Sequence, residues 1–156
     1  MRVLSKFCDP AIVVLGYHAD EIRARVSANF VVNPDPDRGQ LSSLQTALAV
    51  LPEGLEGFLF TPVDCPTVEE ETVSKLIRAF EQNADAIVIP RFGGTRRGHP
   101  VCVPRSLIPA FLALAPIEQT RVAIHQNADR VIYVDVEDPG ILVDVDDPAA
   151  YQALVQ

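Results

Sequence analysis

The sequence predicts an α/β fold in which a mainly parallel sheet is covered by helices on both faces. Three observations lead to this prediction. Short apolar segments alternate with amphipathic segments of helical spacing, no repeat or linker divides the chain, and its 156 residues, 48% of them hydrophobic, suffice for one core. Such alternation produces right-handed crossovers between parallel strands. The whole chain, residues 1–156, is therefore expected to form a single domain.

The strands are predicted from short apolar runs that end at glycine, proline or polar turn residues. The first run stops at Gly16, and the second leads into a long turn that is rich in proline and aspartate. In chain order, the predicted strands are 11–15, 30–32, 57–63, 86–89, 101–103, 131–136 and 141–145.

The helices are predicted from apolar residues spaced three or four positions apart. The strongest signal follows the third strand, where Thr67 and Glu70 match a capping box and acidic residues gather at the helix N-terminus. Pro109 is compatible with a helix only in its first turn. In chain order, the predicted helices are 20–26, 41–51, 68–80, 107–112, 119–126 and 148–154.

Charge and composition exclude several classes of protein. The chain has 21 acidic and 13 basic residues, a net charge of -8, which disfavours nucleic acid and anionic membranes as partners. Its apolar runs are too short to span a bilayer, and its first residues do not resemble a secretory signal. Three scattered cysteines, Cys8, Cys65 and Cys102, form neither a disulfide framework nor a zinc box. A soluble, cytoplasmic protein is expected.

Two aspartates are the leading candidates for chemistry. Asp64 directly follows the predicted strand 57–63, and in parallel sheets ligands bind beyond the carboxyl ends of strands. Asp144 also follows an apolar run and precedes a helix that opens with Pro148. Two carboxylates about 4 Å apart would repel by about 4 kcal/mol at an effective dielectric constant of about 20, and a shared Mg²⁺ would reverse this cost. The alternative for Asp64 is that it only turns or caps the chain, whereas in the second segment Asp146 and Asp147 can supply the helix cap and its first-turn charges.

Two further segments offer ligand-binding groups. The turn 33–39, followed by Ser42 and Ser43, places backbone N–H groups and hydroxyls at a helix N-terminus, which suits an anionic or polar ligand. A serine-capped helix explains the same residues equally well. His99 lies between a loop and a strand, where a structural or surface role is the commoner one. Three arginines lie near His99 in sequence: Arg91, Arg96 and Arg97. Their positive charges could bind an anionic substrate or could be solvated in a loop.

Several motifs occur along the chain in a family-specific order. They are Val13–Gly16, Asn33, Gly39, Ser42–Leu44, Val63–Pro66, Gly98–Val101 and Asp144–Pro148. Taken together, these motifs resemble the MobA-like NTP transferase family, most closely its molybdenum-cofactor cytidylyltransferase branch. The resemblance implies a Rossmann-like, three-layer α/β/α nucleotidyltransferase fold. It also implies transfer of CMP or GMP, with CTP favoured, from a nucleoside triphosphate to a phosphorylated acceptor such as molybdopterin, with release of pyrophosphate.

The resemblance also assigns roles to individual residues. Asp64 and Asp144 would hold Mg²⁺, and Asp64 and His99 would be catalytic, with His99 facing the acceptor. The residues implied to lie along the nucleotide are Asn33, Gly39, Ser42 and Ser43.

The sequence departs from the family at its N-terminus. The family begins with a strand and a glycine-rich loop, LAAGxSxRMG, whereas Met1–Asp9 matches the end of the helix after that loop. We therefore expect an N-terminally truncated domain whose sheet lacks a central strand and which forms a homo-oligomer over the gap. Whether the chain is an enzyme stays open. The alternatives are an inactive nucleotide-binding or regulatory remnant and a nucleotide-sugar-dependent enzyme similar to glycosyltransferases.

Overall fold

A computed structural model describes residues 3–155, which form six α-helices and seven β-strands. None of these helices is long and apolar enough to cross a membrane. The strands are β1 (Ile12–Leu15), β2 (Asn29–Val32), β3 (Gly57–Phe60), β4 (Ile87–Phe92), β5 (Arg96–Arg97), β6 (Val101–Pro104) and β7 (Val131–Val136). The helices are α1 (Ala19–Arg23), α2 (Gln40–Leu48), α3 (Glu70–Gln82), α4 (Ile108–Ala113), α5 (Thr120–Gln126) and α6 (Pro148–Val155).

Most elements lie where the hydrophobic pattern predicts them, but the expected strand 141–145 is wrong. The segment instead forms a 3-10 turn at Pro139–Leu142 and then an irregular loop. Pro139 has no N–H to give to a sheet, and the Asp138 side chain accepts a hydrogen bond from Gly140 N at 2.7 Å, which fixes a turn. The loop that carries Asp144 is therefore not a strand end.

The predicted capping box at Thr67 and Glu70 is also wrong. Helix α3 begins at Glu70 with Glu69 as its N-cap, and no side chain of the N-cap residue closes it. Thr67 instead donates its hydroxyl hydrogen bond to Gly140 O at 3.1 Å. The Thr67 hydroxyl, which would cap the helix in the local motif, thus forms a hydrogen bond to a residue distant in sequence.

The expected mainly parallel sheet is a mixed one. β1 pairs with β2 and β4 pairs with β7 in parallel, whereas β6 is antiparallel to both β3 and β4. The short β5 is antiparallel to β4. The short turn 93–95 reverses the chain between β4 and β5, as tight connections between paired strands do, and β6 then continues in the direction of β5.

Helices cover both faces of the larger sheet, as the three-layer α/β/α prediction requires. Alternate residues of β4 point to opposite sides. Ile87 and Ile89 pack in a core with residues of α2, α4 and α5, whereas Val88 packs against Leu76 of α3. These two cores fix the positions of the strands, and the candidate site lies in loops next to the strand ends.

The sheet is divided by a gap. β1 and β2 form a separate two-stranded sheet, and β3 is the end strand of the five-stranded sheet. A cavity of about 1110 Å³ lies between them and is lined by Ile12–Val14 of β1 and by all of β3. Within the described part of the chain, no strand pairs with the facing edges of β1 and β3.

Candidate functional site

The two leading aspartates come together although they are 80 positions apart in sequence. Asp64 lies in the loop that follows β3, and Asp144 lies in the loop that follows the 3-10 turn Pro139–Leu142. A carboxylate oxygen of each, together with Cys65 Sγ, forms a group whose atoms all lie within 4.8 Å of one another. Val145 N also donates a hydrogen bond to Asp64 O at 2.9 Å. The main chain thus holds the two loops side by side.

The donor set of this cluster fits a hard divalent cation. Burial, and then the negative charges of Asp64 and Asp144, raise the pKa of the Cys65 thiol to about 11. The thiol is therefore neutral at pH 7, which leaves the two carboxylates as the anionic donors. Mg²⁺ is typically bound by one or two carboxylates, with water and substrate phosphates completing its coordination.

A residue that the sequence pattern did not single out, Asp138, joins the two loops. Its buried carboxylate accepts hydrogen bonds from Glu69 N at 2.9 Å, from Thr72 Oγ1 at 2.8 Å and from Gly140 N at 2.7 Å. Asp138 thus supplies, from a distant part of the chain, the acceptor for α3 that the sequence assigned to Thr67. The Asp-Pro-Gly sequence at 138–140 is typical of an exposed turn, so the pattern gave no sign of burial.

The residues expected along the nucleotide form one hydrogen-bonded network at the N-terminus of α2. Asn33 Nδ2 donates to Ser42 Oγ at 2.8 Å and to Ser43 Oγ at 3.1 Å. Ser42 Oγ donates to Gly39 O at 2.7 Å, and Gly39 itself has a φ of +94°, which favours glycine. The network fixes the loop that leads from β2 into α2.

Only part of this network faces open space. Asn33 and Ser42 are buried and bond to each other, whereas Ser43 lines the 1110 Å³ cavity together with Asp64. Gln40 and Thr120 also line it, although no sequence motif marks either residue. Thr120 is buried, and among the described residues its Oγ1 has no hydrogen-bond partner.

His99 lies against the last residue of β3. Its ring contacts Phe60 edge-on, with 5.8 Å between the centroids. Burial lowers the pKa of His99, opposed by a hydrogen bond to the Phe60 backbone and by the charges of Asp64 and Asp144. Its Nδ1 atom is buried and has no partner within residues 3–155. His99 is thus a neutral imidazole at pH 7, and its Nδ1 is the nitrogen without a partner. It lies close enough to Asp64 and Asp144 for their charges to affect its pKa.

Two of the three arginines near His99 in sequence contact the strand β7. Arg91 forms a two-bond ion pair with Asp135, at 2.7 and 2.8 Å, which lowers the pKa of that carboxyl group. The guanidinium of Arg97 lies over the Tyr133 ring, 4.7 Å from its centroid. No cationic side chain lines the cavity in the described part of the chain.

A comparison with protein families finds similarity over most of the chain. The model of the MobA-like NTP transferase domain matches residues 1–131. No curated protein sequence matches the chain.

Solved structures of similar fold cover almost all of the chain. Rv0371c from Mycobacterium tuberculosis is 25% identical, with 98% of this chain and 79% of that chain covered and a TM-score of 0.77. The same protein has been solved in complex with manganese, at a TM-score of 0.74. A nucleotidyl transferase from Methanothermobacter is 21% identical, with 97% and 74% covered and a TM-score of 0.71. Molybdopterin-guanine dinucleotide biosynthesis protein A from Archaeoglobus fulgidus is 15% identical, with 97% and 81% covered and a TM-score of 0.67.

Proposed function

Because the chain belongs to the MobA-like NTP transferase family, we propose that it transfers a nucleotidyl group from CTP or GTP to a phosphorylated small-molecule acceptor such as molybdopterin. The observation that carries the proposal is the convergence of Asp64 and Asp144 beside a cavity that the N-terminus of α2 also lines. CTP is the favoured donor because the motifs most resemble the cytidylyltransferase branch of the family.

The proposed reaction is a displacement at phosphorus. A phosphate oxygen of the acceptor forms a bond to the α-phosphorus of the nucleotide. The bond from that phosphorus to the oxygen that bridges to the β-phosphate breaks, and pyrophosphate leaves with the electron pair. The protein contributes mainly by aligning the two phosphates and stabilising the charge that develops.

Asp64 and Asp144 would hold the divalent ion of this reaction. When bound, such an ion neutralises charge on the triphosphate and on the leaving pyrophosphate. The donor set supports Mg²⁺, and the manganese complex of Rv0371c supports a divalent ion in a protein of this fold.

The other site residues divide into two groups. Ser43 and the first backbone N–H groups of α2 would bind phosphate oxygens, because a helix N-terminus favours anions. Asn33, Gly39 and Ser42 would hold that loop in place. His99, neutral at pH 7 and packed against Phe60 at the end of β3, would help to shape the acceptor side of the site.

The test is metal-dependent release of pyrophosphate. CTP and GTP are each offered with molybdopterin and Mg²⁺, and Asp64→Asn is compared with Asp146→Asn, which changes an exposed aspartate outside the cluster. We expect release that needs both acceptor and Mg²⁺ and that falls at least about 100-fold in Asp64→Asn, the typical cost of losing one preorganised stabilising group. Equal rates in the two variants would contradict the proposal. A parallel reaction with a nucleotide sugar tests the glycosyltransferase-like alternative.

A second candidate function, nucleotide binding without turnover, is favoured by the cavity itself. Within residues 3–155 its lining contains no lysine or arginine, so no cationic side chain there offsets the triphosphate charge. Each missing donor costs about 10² to 10³ in rate, and we therefore expect weak transfer by residues 1–156 alone. Calorimetric binding of CTP without detectable pyrophosphate release would favour this candidate.

We also propose a cytoplasmic, homo-oligomeric protein. Cys8, Cys65 and Cys102 are free thiols, which suits a reducing compartment. The facing free edges of β1 and β3 present unpaired backbone groups and apolar surface, which favour coverage by a second copy.

A further inference from the structure

We propose that Asp138 is a positioning residue that sets the separation of Asp64 and Asp144 and thereby the affinity of this pair for a divalent cation. The inference rests on the proposed function in one respect, because it takes those two carboxylates as the metal ligands. Asp138 itself touches neither substrate nor ion.

The first support is that both oxygens of the Asp138 carboxylate accept hydrogen bonds. The residue is 4% exposed, and its two oxygens accept three hydrogen bonds of 2.7 to 2.9 Å. Oδ2 bonds to Glu69 N and Thr72 Oγ1 at the start of α3, and Oδ1 bonds to Gly140 N. One buried anion thus joins the start of α3 to the turn Pro139–Leu142, and charge-assisted bonds of this kind are the strong ones.

The second support is that this turn also touches the neighbouring loops of the site. Gly140 O accepts the Thr67 hydroxyl at 3.1 Å, and Ile141 O accepts His99 N at 3.1 Å. The fit is close, because a Cβ added to Gly140 would lie 2.4 Å from Thr67 O. The turn is therefore packed against the loop that contains Asp64 and against His99.

The third support is the position of Asp144. It lies two residues beyond the turn in an exposed loop, and its carboxylate faces another carboxylate that repels it. Two features hold this loop near Asp64: the hydrogen bond from Val145 N to Asp64 O, and the preceding turn that Asp138 anchors. Groups that orient metal ligands typically change metal affinity by about 10- to 100-fold when they are removed.

Three variants separate positioning from general stability. Asp138→Asn keeps the size of the side chain but replaces an acceptor oxygen with a donor that faces Gly140 N or Glu69 N. Thr72→Val removes one bond to the carboxylate and leaves the charge, whereas Thr72→Ser retains the hydroxyl. Asp146→Asn is the matched control, because it removes an exposed carboxylate from the same loop as Asp144.

The measurement is Mn²⁺ binding, followed by the electron spin resonance of the free ion, on variants shown by circular dichroism to be folded. We expect the Kd to rise about 10- to 100-fold in Asp138→Asn. A smaller rise is expected in Thr72→Val, and no change is expected in Thr72→Ser or Asp146→Asn. Without metal, the amide of Val145 should exchange its hydrogen faster in Asp138→Asn, because its acceptor is then less well placed.

Two results overturn the inference in different ways. If Asp64→Asn abolishes Mn²⁺ binding but Asp138→Asn and Thr72→Val bind like the wild type, the metal site stands and the role of Asp138 is wrong. If Asp64→Asn binds Mn²⁺ like the wild type, the proposed function fails and this inference fails with it. Should Asp138→Asn not fold, Thr72→Val alone decides between these results.

Discussion

Replacing Asp144 with asparagine should change thermal stability in opposite directions with and without metal. The two carboxylates have oxygens within 4.8 Å of each other, which corresponds to a repulsion of about 3.5 kcal/mol at an effective dielectric constant of about 20 and about 1 kcal/mol in water. Asp144 is exposed, so solvent screening makes the lower figure the appropriate one. Asp144→Asn should therefore stabilise the metal-free protein by about 1 kcal/mol, which raises Tm by about 2 to 4 °C for a chain of this size.

In saturating Mn²⁺ the order should reverse. A ligand present at about 100 times its Kd stabilises the folded state by about 2.7 kcal/mol, and Asp144→Asn should lose most of this gain. The assay is thermal unfolding in EDTA and in Mn²⁺, with Asp146→Asn as the control that keeps the wild-type response. A variant that is less stable than the wild type in EDTA, or that keeps the full Mn²⁺ shift, would refute the reasoning.

Three other predictions concern titration and assembly. Because the pKa of Cys65 is raised to about 11, its alkylation by iodoacetamide should be slow at pH 8 and rise steeply towards pH 11. At pH 8 the alkylation should be faster in Asp64→Asn. Mass spectrometry of the labelled peptide measures both rates. Burial lowers the pKa of His99 in the folded state, so the unfolded state binds its proton more readily, and this residue's contribution to stability should be lost as the pH falls below about 6.5. Urea unfolding at pH 5 and pH 7 should show a smaller difference in His99→Gln than in the wild type. Sedimentation at micromolar concentration should show a dimer or larger assembly, and a stable monomer would contradict the proposed coverage of the gap.

The sequence predicts the position of the site better than the way in which it is held. The meeting of Asp64 and Asp144 follows from their places after apolar runs near one sheet edge, although the run before Asp144 is a 3-10 turn and not a strand. The role of Asp138 could not be predicted, because an Asp-Pro-Gly turn carries no local sign of burial and two of its three hydrogen-bond partners are 66 and 69 positions away.

The direction of a strand is also difficult to predict from its sequence, as β6 shows. The periodicity of β6 predicts a buried strand but carries no information on orientation, which the short turns from β4 through β5 decide. Local spacing predicts that Asn33, Ser42 and Ser43 lie together, and hydrogen bonds join them. Which of its members faces the cavity depends on packing between distant elements, and the pattern could not reveal that Ser43 does so.

In the proposed function, Asp64 and Asp144 hold a divalent ion against the phosphates of a bound nucleotide. Phosphorus NMR of CTP in the presence of Mn²⁺ tests it most directly, because the paramagnetic ion broadens the resonances of phosphates that lie beside it. With the wild-type protein, we predict broadening of the CTP phosphates beyond that caused by free Mn²⁺, and we predict that Asp64→Asn abolishes this excess while Asp146→Asn retains it. Equal excess broadening with the wild type and Asp64→Asn would contradict the account.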